Sequence, residues 1–225
     1  MRAALLLLLA LALPVPARAD TEVFEMRLAG STLGTLTFEA SEAGSGWTTD
    51  LDNTPLGVAD GLFAATSVPV RTASGEAARR YRGETATSRR SRVVEVLHAE
   101  GRVLSVSVTP DDEATEMSDA ARVPPGVIDP VEAFERLLHA DGCPAAFSIY
   151  DGRRVVAITP QASQEAGGRL TCDLSYEVAL GPGHLSPLGI ASLGVTLTYD
   201  RPPGAPQTLQ EMDVRTGPLR LRILR

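Results

Sequence analysis

Two adjacent arginines, Arg153 and Arg154, are the residues of this chain whose types and spacing best suit chemistry. They follow Asp-Gly within residues 150–154 (YDGRR), and Asp-Gly between two apolar runs is the usual signal for a two-residue hairpin turn. Because successive side chains of a strand point to opposite faces, Arg154 should share the buried face with Val156 and Ile158. An inward-facing arginine needs an acid, a cluster of carbonyl groups or an anionic ligand.

One hypothesis makes Arg154 structural. In that case Arg154 forms a buried salt bridge, to Asp129 or Glu132, that holds a helix against the sheet. Asp151 and Gly152 then serve only to form the turn.

The other hypothesis makes the same region a binding site. Arg154 then meets the anionic headgroup of a lipid or glycan at the mouth of a curved sheet, because guanidinium groups pair with such anions. Arg153 and Tyr150 are the further candidate ligand-binding residues. Both hypotheses stay open on the sequence alone.

The histidines predict no catalytic or metal site. His98, His139 and His184 are far apart in sequence, and none has a second His or Cys at the spacing of a metal site. They are interpreted as surface residues or strand residues without a special role. Ser186 lies near His184, but on a Pro/Gly-rich loop without the surroundings of a nucleophile. We therefore predict no catalytic residue, no metal and no cofactor.

The charge pattern limits the function classes. The formal net charge is −7, and all 21 basic residues are Arg, with no Lys. The absence of Lys excludes Schiff-base enzymes, P-loop nucleotide sites and Ser-Lys hydrolases. Nucleic acid is not expected as a partner, because binding phosphates requires clustered positive charge.

The N-terminus predicts export. Residues 1–19 combine an early Arg, an apolar run and Ala17-Arg18-Ala19, which together are typical of a signal peptide cleaved after Ala19. The run is shorter than a membrane-spanning helix, and no later segment approaches the required length. Because residue 20 is Asp and not Cys, no lipid anchor is expected there. We expect a periplasmic protein that does not span the membrane, with secretion beyond the cell as the alternative.

Cys143 and Cys172 are the only two cysteines. In an exported chain an even number of cysteines usually indicates a disulfide. Such a bridge would close a loop of about 30 residues and add roughly 3 to 4 kcal/mol of stability. The alternative, a thiol redox site, would require Cys-x-x-Cys spacing, which is absent.

Alternation of apolar and polar residues predicts about ten strands, most regularly in residues 170–180. One short helix is predicted after Asp129, the N-cap, with Pro130 at its first position and Glu132 as a capping-box partner. Since no β-α-β rhythm occurs, we predict a mainly β fold. A curved antiparallel sheet would wrap around one or two short helices. Residues 20–225 are interpreted as a single domain.

An acidic segment interrupts the strand pattern at residues 110–126 (PDDEATEMSDAARVPPG). It is bounded by Pro and Gly and has no periodicity, which is typical of a connection. It also lacks the spacing of a calcium loop. We predict a flexible connection.

Residues 128–180 also resemble a known family. The stretch DPVEA at 129–133, Cys143, the YDGRR stretch at 150–154 and Cys172 together are similar to the bacterial envelope family called domain of unknown function 3108. The resemblance implies a periplasmic protein whose family has no assigned biochemistry. It also implies a half-barrel similar to the lipoprotein-carrier folds. It supplies no catalytic residues.

Three function classes follow. The first is a non-enzymatic periplasmic protein that binds a lipid or lipid-linked molecule in an apolar groove. The second is an envelope assembly protein with a closed core, which would recognise a partner protein through sheet edges or the acidic segment. The third is a cell-wall hydrolase, for which the sequence offers no convergent acid, base and nucleophile.

Overall fold

The computed structural model describes residues 20–51, 61–87, 91–184 and 189–225. These residues form one 14-stranded sheet, nearly closed into a barrel, and one α-helix, so the mainly β prediction is confirmed. The strands are β1 Asp20–Leu28, β2 Ser31–Ser41, β3 Gly44–Leu51, β4 Gly61–Arg71, β5 Ala77–Thr87, β6 Ser91–Ala99, β7 Arg102–Thr109, β8 Val127–Ile128, β9 Phe147–Tyr150, β10 Val155–Ala166, β11 Arg169–Leu180, β12 Ser192–Asp200, β13 Thr208–Thr216 and β14 Leu219–Leu224. The helix, α1, is Pro130–Leu138.

The order of strands in the sheet is β7-β6-β5-β4-β3-β2-β1-β14-β13-β12-β11-β10-β9-β8. Every neighbouring pair is antiparallel except β8 and β9, which are parallel, so the expectation of a purely antiparallel sheet is wrong at this edge. The estimate of about ten strands is also low. β4 and β5 lie where the alternation in the sequence is weak.

Alternating apolar side chains form the inner face of the sheet, as the period-two pattern predicts. On β11, Leu170, Cys172 and Leu174 are buried, and on β12 the same holds for Leu197 and Tyr199. The core therefore lies inside the curve of the sheet.

Helix α1 lies within this curve and contacts β3, β4, β9 and β13. Its N-cap is Asp129, as predicted, whose Oδ1 accepts hydrogen bonds from the backbone N–H groups of Val131 and Glu132 (2.9 Å each). On its inner side, the Phe134 ring packs against Phe24 and Phe38, with centroid distances of 6.0 and 5.5 Å.

Glu132 does not act as the predicted capping-box partner among the described residues. Its carboxylate lies 3.5 Å from Arg136, one turn later in the helix. Two backbone N–H groups donate to Asp129 Oδ1, so the helix is capped without a hydrogen bond from the Asp129 N–H group to the Glu132 side chain.

The acidic segment 110–126 lies against β7 and consists mainly of three short 3-10 turns, Asp111–Glu113, Glu116–Ser118 and Ala120–Arg122. Glu113 and Met117 are buried. At its end, Gly126 N–H donates to the Gly101 carbonyl (2.8 Å), which connects the chain before β8 to the turn between β6 and β7. Its flexibility stays a prediction.

Cys143 and Cys172 form a disulfide, as predicted, with a Cα–Cα distance of 5.6 Å. Cys172 is completely buried on β11, whereas Cys143 lies in the segment after α1. The bridge therefore ties the end of the helical segment to the sheet.

The predicted signal peptide, residues 1–19, lies outside the described residues. Among the residues that are described, no helix has both the length and the apolar character needed to cross a bilayer.

Candidate ligand-binding cavity

Asp151 and Gly152 begin a turn of four residues, 151–154, between β9 and β10, so the predicted two-residue turn is wrong. Asp151 Oδ1 accepts hydrogen bonds from the backbone N–H groups of Arg153 and Arg154 (2.9 Å each). Gly152 has φ +87°, and a Cβ at this position would overlap the Val94 side chain of β6. The turn is therefore packed against β6 and has no room for a larger residue.

Arg154 points inward, as the alternation predicts, and is 5% exposed. Its Nε lies 3.0 Å from Asp151 Oδ2. The predicted salt bridge to Asp129 or Glu132 is therefore wrong. The turn itself places a carboxylate three residues before the arginine, while Asp129 is engaged at the start of α1.

The guanidinium group of Arg154 is not fully satisfied. Among the described residues, its buried Nε and Nη1 have no hydrogen-bond partner, because the ion pair with Asp151 is not aligned for one. A buried donor without an acceptor costs about 1 to 3 kcal/mol, and more when the group is charged. Such a cost is expected at a site that meets an anionic or carbonyl group of a ligand.

Arg153 faces the acidic segment. Its Nε donates to the Glu113 carbonyl (2.6 Å), and its Nη2 lies 3.3 Å from the Glu113 carboxylate. Arg92 approaches the same carboxylate at 3.0 Å. Burial lowers the pKa of Arg153, and the positive charge of Arg92 lowers it further. Arg153 borders the cavity between α1 and the sheet, but its contacts are those of a residue that anchors residues 110–126.

Tyr150, the third predicted ligand-binding residue, is engaged elsewhere. It is 1% exposed, and its hydroxyl donates to the Met117 carbonyl. Burial raises the pKa of this hydroxyl. Tyr150 therefore holds the acidic segment, and among the described residues it is not part of the cavity lining.

Two hydroxyl groups complete the contact between the acidic segment and the turn. Thr115 Oγ1 donates to the Arg153 carbonyl (2.7 Å), and Ser118 Oγ donates to the Gly152 carbonyl (2.9 Å). The segment predicted as a connection thus holds the turn that carries Arg154.

A cavity of about 940 Å³ lies between α1 and the inner face of the sheet. Its lining is mainly apolar, and α1 contributes Phe134 and Leu137. The strands contribute Trp47, Phe63, Phe147, Ile149, Val156, Ile158, Leu174, Leu193, Val195, Met212 and Val214. The polar and charged lining residues are Tyr81, Glu84, Thr85, Arg92, Asp112, Glu113, Asp151, Arg153, Arg154, Tyr176 and His184.

Tyr176 and His184 form a pair in this cavity that the sequence did not reveal. The Tyr176 hydroxyl lies 2.6 Å from His184 Nε2. Burial, and then the charge of Arg154, lower the pKa of His184 to about 4, so the ring is neutral at neutral pH. Burial raises the pKa of Tyr176. The two residues are eight positions apart, and no spacing rule connects a strand tyrosine to a histidine in the following loop.

A second buried group contains His98, Asp129 and Glu132, whose ligand-type atoms lie within 4.8 Å of one another. The interpretation of His98 as a residue without a special role is wrong, because its Nε2 lies 2.9 Å from Asp129 Oδ2. Ser67 donates to the same oxygen (2.6 Å). Burial raises the pKa of Asp129, but the hydrogen bonds from His98 and Ser67 outweigh it, so the net shift is downward.

The Asp129 group is therefore better explained as a helix cap than as a metal centre. Both carboxylate oxygens of Asp129 already accept hydrogen bonds. Arg79 Nε in turn donates to Ser67 Oγ (3.0 Å). Burial, and then the charge of Asp129, raise the pKa of Glu132.

No protein-family model matches the chain, and no curated protein matches it. Among solved structures, it is similar to the β-barrel-like protein of domain of unknown function DUF1849 from Brucella abortus, whose crystal structure is known. The two share 14% sequence identity, and the match covers 91% of this chain and 94% of the other, with a TM-score of 0.49. The resemblance to domain of unknown function 3108 gains no support from these comparisons and stays a hypothesis.

Proposed function

We propose that this protein is a non-enzymatic periplasmic binding protein that holds a lipid or lipid-linked molecule in the cavity between its sheet and α1. The observation that carries the proposal is the cavity itself. Its volume of about 940 Å³ lies in the range of small-molecule sites, and its lining is apolar with a few polar groups. In this proposal the nearly closed sheet takes the place of the half-barrel in a lipoprotein-carrier-like fold. The same proposal includes membership of the family called domain of unknown function 3108.

The cavity favours this function over an assembly protein with a closed core. A protein that only presents its surface to a partner gains nothing from interior apolar side chains that lack packing neighbours, because unfilled space lowers stability. A ligand that fills the space restores those contacts.

The proposal is tested with the mature protein purified from a bacterial periplasm. Native mass spectrometry, followed by solvent extraction, should detect a reproducible lipid or lipid-linked mass. After lipid removal, the protein should bind Nile red, a neutral apolar dye that is excited in the visible range. Absence of both a co-purifying mass and dye binding would contradict the proposal and favour the assembly function.

A pair of matched variants locates the binding. Leu193→Trp adds bulk inside the cavity, whereas Leu62→Trp adds it at an exposed strand position that is 46% accessible. We expect the first to reduce dye binding at least tenfold and the second to leave it unchanged. Equal effects of both variants would place the dye outside the cavity.

A further inference from the structure

Arg154 is a buried cation in the cavity, and its contacts leave part of its hydrogen-bonding capacity unused. It is nine-tenths or more buried, it lines the cavity, and its Nε and Nη1 lack hydrogen-bond partners among the described residues. Arg92 and Arg153, in contrast, both contact the Glu113 carboxylate. The unused donors of Arg154 point to an acceptor group on the ligand.

Tyr176 and His184 line the same cavity as Arg154. The charges of Arg154 and Asp151 act on both residues. A neutral imidazole can carry its proton on Nε2 and donate it to the Tyr176 oxygen. The hydroxyl proton of Tyr176 is then available to a ligand oxygen beside Arg154.

The charges at this end of the cavity fit one negative charge on the ligand. Among the described residues, the lining holds three guanidinium groups, those of Arg92, Arg153 and Arg154. It also holds four carboxylates, those of Glu84, Asp112, Glu113 and Asp151, so these groups leave no excess of positive charge to offset a second negative charge on the ligand. A dianion would leave a negative charge uncompensated in a partly buried site.

The volume fits one acyl chain. At roughly 30 Å³ for each non-hydrogen atom, the volume share of a water molecule, the cavity holds about 30 such atoms. This is enough for a long-chain acid and too little for a phospholipid with two long chains.

We propose that the ligand is a single-chain amphiphile with one negative charge, whose headgroup is bound by Arg154 and Tyr176 and whose chain lies along Phe134 and Leu137 of α1. The inference rests on the proposed binding function and adds the class of ligand to it. A carboxylate and a phosphodiester share this chemistry, and the experiment distinguishes them.

The test uses Trp47, the only tryptophan of the chain, which lines the cavity and should report binding by its fluorescence. The probes are hexadecanoate, hexadecan-1-ol, hexadecyl phosphate and single-chain lysophosphatidylglycerol. We expect hexadecanoate or lysophosphatidylglycerol to bind 10- to 100-fold more tightly than hexadecan-1-ol, and whichever binds more tightly identifies the headgroup. Hexadecyl phosphate, which is doubly charged at the pH of about 8 used for all four probes, should bind more weakly than both.

Arg154→Gln should abolish the preference for the charged probes while leaving the affinity for hexadecan-1-ol unchanged. The matched control is Arg169→Gln, at a guanidinium that is 65% exposed. Tyr176→Phe retains the cation and should reduce the affinity for the charged probes several-fold, which keeps the test informative if Arg154→Gln does not fold.

The outcomes separate the two proposals. If the alcohol and the charged probes bind equally to the unaltered protein, the headgroup site is wrong and the binding function stands. If hexadecyl phosphate binds most tightly, the single charge is wrong. If no probe binds, including the neutral alcohol, the binding function itself fails.

Discussion

At the scale of single residues, Asp129 and Arg154 are both buried charges, but their surroundings differ. The Asp129 carboxylate receives hydrogen bonds from two backbone N–H groups and from Ser67, and His98 lies at 2.9 Å. Arg154 has one ion pair and unused donors. A fully satisfied buried charge stabilises one arrangement of the fold, whereas a partly satisfied one is a candidate for binding.

Asp129→Ala should lower the free energy of unfolding by about 2 to 4 kcal/mol. The variant loses the N-cap of α1 and leaves the buried His98 and Ser67 without their acceptor. Urea denaturation measures the change. Asp119→Ala is the control, because Asp119 also caps a turn but is exposed, and it should cost less than about 1 kcal/mol. Equal costs would show that the buried group adds nothing to the cap.

The His184 pair predicts a dependence of stability on pH. Because the pKa of His184 falls from 6.5 to about 4 on folding, the unfolded chain binds a proton in this range that the folded protein does not. Stability should therefore decrease as the pH falls from about 6.5 to 4, by roughly 2 kcal/mol after allowing for partial exposure of the ring.

Chemical denaturation at several pH values between 4 and 7 measures this effect in protein freed of ligand. His184→Gln should remove this part of the pH dependence. His139→Gln, at an exposed position after α1, should not change it. A profile that His184→Gln leaves unaltered would show that another group is responsible.

At the scale of elements, the turn between β9 and β10 joins three parts of the molecule. It packs against Val94 of β6, and it is bonded to the acidic segment through Thr115 and Ser118. At the end of β11, Gly181 leaves room for it, since a Cβ there would lie 2.6 Å from the Arg153 carbonyl oxygen. The position of Arg154 is therefore fixed by contacts on several sides of its turn.

Gly152→Ala should lower the free energy of unfolding by about 2 to 4 kcal/mol, since it combines a positive φ with an overlap at Val94. Gly204→Ala is a matched control, because Gly204 has φ +75° but open space around its Cβ position. It should cost only about 1 kcal/mol. If the two variants lose the same stability in urea, the packing of the turn against β6 is not as described.

At the scale of the whole molecule, near-closure of the sheet explains the acidic segment. β7 and β8 are consecutive in the chain but lie at opposite ends of the strand order. The segment 110–126 connects them and packs against β7, and Gly126 bonds to Gly101. A stretch that looks like a linker in the sequence thus covers the seam of the barrel.

Replacing both Cys143 and Cys172 with Ala should lower the free energy of unfolding by about 2 to 4 kcal/mol, because the unfolded chain loses a constraint between residues 29 positions apart. Urea denaturation of the double variant and of the parent protein measures the difference. Mass spectrometry with and without reductant provides the control, and a count of two free thiols in periplasm-derived protein would contradict the bridge.

Local patterns in the sequence predicted the features that depend on neighbouring residues. The mainly β class follows from alternation along each strand, and the start of α1 follows from Asp129 and Pro130. Arg154 is buried, as its spacing from Val156 predicts, although it lies just before β10 and not within the strand. These signals are local, so no knowledge of the fold was needed to interpret them.

Only the tertiary structure decided which distant residues meet. It brought His98 and Ser67 to Asp129 and placed His184 beside Tyr176. It also engaged Tyr150 and Arg153 with the acidic segment. Each of these outcomes depends on how the 14 strands curve and on which edges approach, and alternation along one strand carries no information about either. The sequence thus determined the elements and the inward charge, and the closure of the sheet decided which residues surround that charge.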